Sequence, residues 1–178
     1  MDDQTAVRPA EDPASAPPMK AEVLHDGRVE PDDEELILAA LTGCGVAAEV
    51  KIIPARRDVQ TLTWLLLISL PLQGFLSAVG KKIAEDGYDT FTRAARRILD
   101  RHRKLEDAPA AAIPPVLVLQ DPATGLRIVF EPNLPSEAYD QLRALNLSGY
   151  RFGSLHYDRS LRCWQPEQDE AATAHGRS

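Results

Sequence analysis

The chain has 178 residues, the length of one ordinary domain, and its 44% hydrophobic and 26% charged residues are typical of a globular protein. Its formal net charge of −7 argues against a general polyanion-binding protein, because the summed field repels phosphates at long range. Cys44 and Cys163 lie far apart, without a CxxC motif or a Cys/His cluster, so we expect a reducing, cytoplasmic setting rather than a secreted disulfide framework.

The two ends of the sequence differ in composition from the middle. Residues 1–19 are acidic and proline-rich without apolar periodicity, and residues 166–178 are similarly polar. Such segments bury too little apolar surface to offset the entropy of ordering. We therefore predict two disordered tails around a single domain at residues 20–165. The N-terminal residues also lack the positive start and apolar run of a secretory signal.

The first predicted elements alternate between strand and helix. Residues 21–25 form a weak candidate strand. Pro31, followed by four consecutive carboxylates, is a strong helix start, because proline suits the first turn and acidic side chains complement the helix dipole there. This helix should stop at residues 43–45, Gly-Cys-Gly, a tight loop that would expose the Cys44 thiol. Residues 46–53 then alternate as a strand does.

A long helical region is predicted at about residues 59–105. Its first part, residues 59–80, contains no charged residue, and its second part is amphipathic. The apolar face turns by about a quarter of a circle between the two parts, so one straight helix cannot keep both on a single core. We therefore expect a kink at Pro71 and a second bend or break near Gly80 or Gly87.

The uncharged run at residues 59–80 has the length of a membrane span. Its Gln, Thr and Ser residues gather on one arc of the helical wheel, which favours a helix packed against protein. We therefore predict a buried core helix and keep membrane insertion of this segment as an alternative.

The C-terminal half reads as a ββαββ unit at residues 116–165, after an Ala/Pro linker at residues 107–115. Strands are predicted at residues 116–120 and 126–131, because proline and glycine between them suit a hairpin loop. Asn133, Pro135 and Ser136 should open a helix that ends near Gly149. The sequence SLHYDRSLRCWQP favours a last hairpin that turns at residues 158–160.

A basic face near the end of the long helical region is the candidate binding surface. Cations at a helix C-terminus complement the dipole and solvate an outer face, and they also suit docking of an acidic partner. No aromatic side chains interleave on that face to stack bases, which argues against nucleic acid. The predicted docking residues are Arg93, Arg96, Arg97, Arg101 and Lys104.

Catalytic patterns are weak in this sequence. His156 and Cys163 would lie almost opposite each other in the last hairpin, as a base and a nucleophile could, but no oxyanion donor is evident. Glu85, Asp86 and Asp89 stand about one turn apart, without a histidine at helical spacing. No hydrolase, nucleotide-binding or zinc-protease motif occurs. We predict no catalytic, cofactor-binding or metal-binding residues.

The sequence predicts an α+β fold with a mixed or largely antiparallel sheet of five to six strands, packed against a long kinked helix. We expect a non-enzymatic protein-interaction or adaptor module of a bacterium with GC-rich coding, acting in the cytoplasm on a protein partner. Two alternatives remain open. One is a membrane-associated protein that inserts residues 59–80, and the other is a small enzyme with a dispersed site.

Overall fold

The computed structural model describes residues 18–25, 27–53, 64–80, 85–105 and 116–167. This part of the chain contains seven strands: β1 (Met19–His25), β2 (Val46–Ile52), β3 (Trp64–Ser69), β4 (Val116–Gln120), β5 (Arg127–Phe130), β6 (Ser154–Asp158) and β7 (Cys163–Pro166). It also contains four α-helices: α1 (Pro31–Gly43), α2 (Leu72–Val79), α3 (Glu85–Leu105) and α4 (Ser136–Arg143). A 3₁₀ turn covers Leu147–Gly149.

All seven strands form one mixed sheet in the order β2-β1-β3-β4-β5-β6-β7. Three neighbouring pairs are parallel: β1 with β2, β3 with β4, and β5 with β6. Helices lie between the two strands of each parallel pair in the chain, as parallel pairing requires a crossover connection. Antiparallel pairing joins β1 to β3, β4 to β5, and β6 to β7. The chain is therefore an α+β protein built from three adjacent β-α-β units and a closing strand.

The four helices pack on one face of the sheet and enclose the main hydrophobic core. Aromatic rings run through this core from α2 to β7, with ring centroids 5.8 Å apart for Phe75 and Phe91, 6.1 Å for Phe91 and Phe130, and 5.9 Å for Phe130 and Trp164. Each of these pairs meets edge to face, the arrangement that ring quadrupoles favour. We call this side of the sheet the helix face.

The opposite side of the sheet, which we call the open face, contains a second and smaller apolar cluster. Leu24, Leu67, Val118 and Val129 stand side by side across β1, β3, β4 and β5, because the strand registers align them. Two residues away along each of these strands, on the same face, the side chains are polar. The members of this second row are Glu49, Glu22, Ser69, Gln120, Arg127 and Ser154.

Helix α1 begins and ends where the sequence predicts. Pro31 occupies the first turn, with acidic side chains beside it. The helix ends at Gly43, and Gly45 follows with a φ of +77°, a conformation that glycine adopts without steric cost. At this end α1 touches α3 so closely that a Cβ atom on Gly87 would lie 2.3 Å from the carbonyl oxygen of Gly43.

The predicted long helical region is wrong over its first part. Residues Trp64–Ser69 form strand β3 in the middle of the sheet, between β1 and β4. A central strand is buried on both faces and therefore reads as a continuous apolar run, which periodicity does not distinguish from a buried helix. Pro71 is not a kink but the residue before α2, and Gly80 marks the end of that helix.

Other predictions agree with the observed elements more closely. Helix α1, strand β4 and the hairpin of β6 and β7 lie where the sequence places them. The α+β class is confirmed, whereas the sheet has seven strands rather than five to six, because β3 joins it. Residues 1–17 of the predicted tail 1–19, most of the tail 166–178, and the linker at residues 107–115 lie outside the described residues. The predicted tails are too long at their inner ends, because Met19 begins β1 and Pro166 ends β7.

No helix within the described ranges combines the length and apolar character that crossing a membrane requires. The apolar run that raised this alternative is divided here between β3 and the eight-residue helix α2.

Candidate functional site

The predicted basic face is largely engaged in contacts within the chain. Asp33, in the first turn of α1, is fully buried, and its carboxylate lies 2.9 Å from Nη1 of Arg101 and 3.4 Å from Nε of Arg97. The exposed fractions of the two arginine side chains are 33% and 50%. These cations hold α3 against α1, so much of their charge is offset by the buried carboxylate.

Arg96 is also directed into the protein rather than towards a partner. Its guanidinium lies over the ring of Tyr139 in α4, 4.7 Å from the ring centroid, as a cation–π contact. Arg93 is exposed, and the side chain of Lys104 lies outside the described residues. Arg96, Arg97 and Arg101 therefore already contact other residues of the chain, and the docking role of this face stays a prediction.

Beside the Asp33 cluster, a buried histidine is held between a carboxylate and a backbone amide. His25 at the end of β1 places Nε2 3.1 Å from the carboxylate of Glu34, and its Nδ1 accepts a hydrogen bond of 3.2 Å from the N–H of Gly27. Because Nδ1 accepts, the ring carries its proton on Nε2 and donates it to Glu34. Both ring nitrogens are thus occupied, which describes a structural histidine.

His156 and Cys163 do not form the pair that the sequence allowed. His156 in β6 lies opposite Gln165, whereas Cys163 in β7 lies opposite Asp158. The nitrogens of His156 face two carboxylates instead, at 3.5 Å from Glu131 and 3.7 Å from Glu167. The Cys163 thiol is contacted by the side-chain amide of Gln165 at 3.1 Å.

The remaining candidate reactive groups are also separated. Asp86 and Asp89 are exposed on α3, on the helix side of the sheet, while His156 and Cys163 are on the open face. Cys44 is 4% exposed, so the expectation of an exposed thiol is wrong. Burial raises the pKa of this thiol to about 11, which leaves it protonated and unreactive at neutral pH.

A groove of about 910 Å³ lies at the end of the sheet where β4 turns into β5. One wall is the β4–β5 turn, a second is the start of α2, and a third is the segment 146–152 that follows α4. Leu126 and Leu147 form part of its lining and are nearly buried. Polar groups at the margins include Gln73 and Thr124.

Asp121 fixes two of these walls relative to each other. One carboxylate oxygen accepts the backbone N–H of Leu72 at 3.1 Å, and the other accepts those of Ala123 and Thr124 at 2.8 and 3.0 Å. Burial would raise the pKa of Asp121, but these backbone donors outweigh it and lower the pKa below its ordinary value. The carboxylate therefore holds the start of α2 against the β4–β5 turn, and its oxygens already accept hydrogen bonds from the chain.

The third wall presents three side chains that are common at binding surfaces. Phe152 is 80% exposed, Tyr150 is half-buried beside it, and Arg151 between them is exposed. Sequence reasoning missed this segment. Its signal was an aromatic-Arg-aromatic triplet between Gly149 and Gly153, the second of which has a φ of +98°. Of these three side chains, Tyr150 packs partly against the main core, whereas Arg151 and Phe152 are exposed on the turn.

Within the described ranges, no group of three or more His, Cys, Asp or Glu side chains could hold a metal ion. No family model, curated protein or solved structure gives a significant match to this chain.

Proposed function

We propose that this chain is a non-enzymatic protein-interaction module that binds a segment of a partner protein in the groove beside Phe152. The exposure of this phenylalanine at the edge of a groove carries the proposal, because most of its apolar surface is left to be buried by a partner. Aromatic and arginine side chains dominate the energy of protein interfaces, and here both types border one concave surface.

The groove also indicates the chemistry of the partner. Arg151 is exposed and forms no ion pair with another residue that the structure describes, while the oxygens of Asp121 are occupied by backbone donors. The charge available at the rim is therefore positive. The matching occupant is a protein segment with an apolar side chain for the groove and an acidic residue that meets Arg151.

A random peptide library displayed on phage tests this function directly. Peptides selected on the wild-type chain should combine an apolar and an acidic residue. Fluorescence anisotropy of one selected peptide should then show that Phe152→Ala weakens binding at least about tenfold, and that Arg151→Glu also weakens it.

Leu161→Ala is the matched control, since Leu161 is a similarly exposed apolar residue on the turn between β6 and β7. This variant should bind the peptide as the wild type does. Selection of peptides that bind Phe152→Ala and wild type equally, or of none at all, would overturn the assignment of this groove.

A further inference from the structure

Strand β2 forms one edge of the sheet, with β1 on its inner side. No other strand within the described residues pairs with its outer side. It is seven residues long, whereas β7 at the opposite edge has four residues and ends in Pro166, which lacks an N–H. Long unpaired edges bind further strands readily, so β2 is the better candidate for such an association.

The backbone of β2 has its hydrogen-bonding groups divided between the two sides. Ile53 donates its N–H to the carbonyl of His25 in β1, at 2.8 Å. The backbone N–H and C=O groups of successive residues in a strand point to opposite sides. Lys51 and Glu49 therefore also direct these groups towards β1. Ala48, Val50 and Ile52 consequently direct theirs outwards.

The side chains of β2 are divided between the two faces in the same alternating way. Glu49 and Lys51 are exposed on the open face, and Val50 lies between them on the helix face. Ile52 follows on the helix face and is 65% exposed, although it belongs to an otherwise half-buried row. Lys51 forms an ion pair with Glu22 on the neighbouring strand.

A second copy of β2 fits this edge in one preferred antiparallel register. If a two-fold axis passes through Val50, each Glu49 faces Lys51 of the partner subunit, and each Ala48 faces Ile52 of the partner subunit. Val50 and its counterpart then exchange both hydrogen bonds, as their outward groups require. A two-fold axis through Glu49 would set two carboxylates opposite each other, which is destabilising.

We propose that the chain forms a two-fold dimer through antiparallel pairing of β2 with the same strand of a second copy, centred on Val50. Charges on an edge strand often prevent association. Across this axis, however, Glu49 of each copy faces the oppositely charged Lys51 of the partner subunit. The pairing joins two seven-stranded sheets into one and covers Ile52. It also adds the Glu49–Lys51 pairs to the diagonal ion pair between Glu22 and Lys51.

Charge reversal tests the dimer, because single reversals should abolish it and the double reversal should restore it. The molar mass of the full chain, measured by light scattering after size exclusion, should be that of a dimer for the wild type. Glu49→Lys and Lys51→Glu should each give monomers, because each sets like charges opposite each other. The double variant Glu49→Lys/Lys51→Glu should be dimeric again, because the pairs are restored with reversed sign.

Val50→Pro provides a second, independent variant. It removes an N–H that is directed away from β1, so the sheet should keep its own pairing while the dimer is lost. Circular dichroism should show every variant folded. A wild type that is monomeric at all concentrations would overturn the proposal, as would a dimer that both the charge reversals and Val50→Pro leave intact.

Discussion

The carboxylate of Asp33 in α1 is fully buried and lies 2.9 Å from the guanidinium of Arg101 in α3. The pair joins the first turn of one helix to the last third of another, far apart in the sequence. Its two members differ in exposure, because one third of the Arg101 side chain still contacts water. This asymmetry determines which substitution costs more.

We expect Arg101→Met to lower the free energy of unfolding by about 2 kcal/mol or more, because it leaves a buried carboxylate with only the more distant Arg97. Asp33→Asn should cost less, since the arginines it leaves unpaired can be hydrated. Urea unfolding monitored by circular dichroism measures both values. Arg103→Met, at an exposed position on the same helix, is the control and should change the unfolding free energy by no more than about 0.5 kcal/mol. An equal effect of Arg101→Met and Arg103→Met would contradict the role of the ion pair.

The contact between Gly87 in α3 and Gly43 in α1 gives a second prediction. Replacing Gly87 by alanine should destabilise the protein, although alanine usually stabilises a helix relative to glycine. Gly87→Ala at an exposed helical site would stabilise the helix by about 1 kcal/mol. Here the new Cβ would meet the carbonyl of Gly43 at 2.3 Å, and the neighbouring atoms are backbone, which cannot rotate away. We expect a net loss of about 2 kcal/mol, seen as a lower urea midpoint.

Gly149→Ala is the matched control for this contact. A Cβ atom at Gly149 would meet nothing within 4 Å, so the urea midpoint should hardly change. If Gly87→Ala proved as stable as the wild type, the close approach of α1 and α3 would not exist in solution.

Alkaline pH should destabilise the protein through its buried tyrosines. Burial raises the pKa of Tyr139 from 10.0 to about 12, although the nearby cation of Arg96 opposes this, and burial also raises the pKa of Tyr88. The folded state keeps these hydroxyls protonated while the unfolded state ionises from about pH 10. The stabilisation is therefore complete below pH 10 and is lost as pH rises towards 12.

Tyr139→Phe isolates the contribution of one of these groups. Between pH 9 and pH 11, the wild type should lose about 1 kcal/mol more unfolding free energy than this variant. Urea titrations of both proteins at the two pH values give the difference, in which the other titrating groups cancel. Parallel losses in the two proteins would show that Tyr139 ionises at its ordinary pKa in the folded state.

Short-range signals explain why most elements were predictable. Pro31 and the carboxylates after it define the start of α1, Gly125 with a φ of +74° completes the turn from β4 to β5, and Asp158 accepts backbone N–H groups at the turn into β7. Each signal acts through backbone dihedrals or hydrogen bonds within a few residues. Such effects can be read from the sequence without knowledge of what packs above them.

The candidate site was less predictable, because it depends on contacts between residues that are distant in the sequence. The arginines of α3 read as a free basic face, because nothing local reveals that Asp33 and Tyr139 would meet them. The groove beside Phe152 draws its walls from α2, the β4–β5 turn and the segment after α4, which lie far apart along the chain. A surface assembled from three such segments leaves no motif of fixed spacing.

Local signals were sufficient to predict the α+β class, the start of α1 and the two C-terminal hairpin turns, because prolines, glycines and acidic first turns act within a few residues. Whether Trp64–Ser69 is a strand or a helix depends on what packs around it, since an apolar run is compatible with either a buried helix or a central strand. Here β1 and β4 supply the hydrogen-bonding partners on both sides, and long-range pairing outweighs local preference. The same long-range pairing places β2 at the edge of the sheet that the described residues form, where we propose that a second copy pairs.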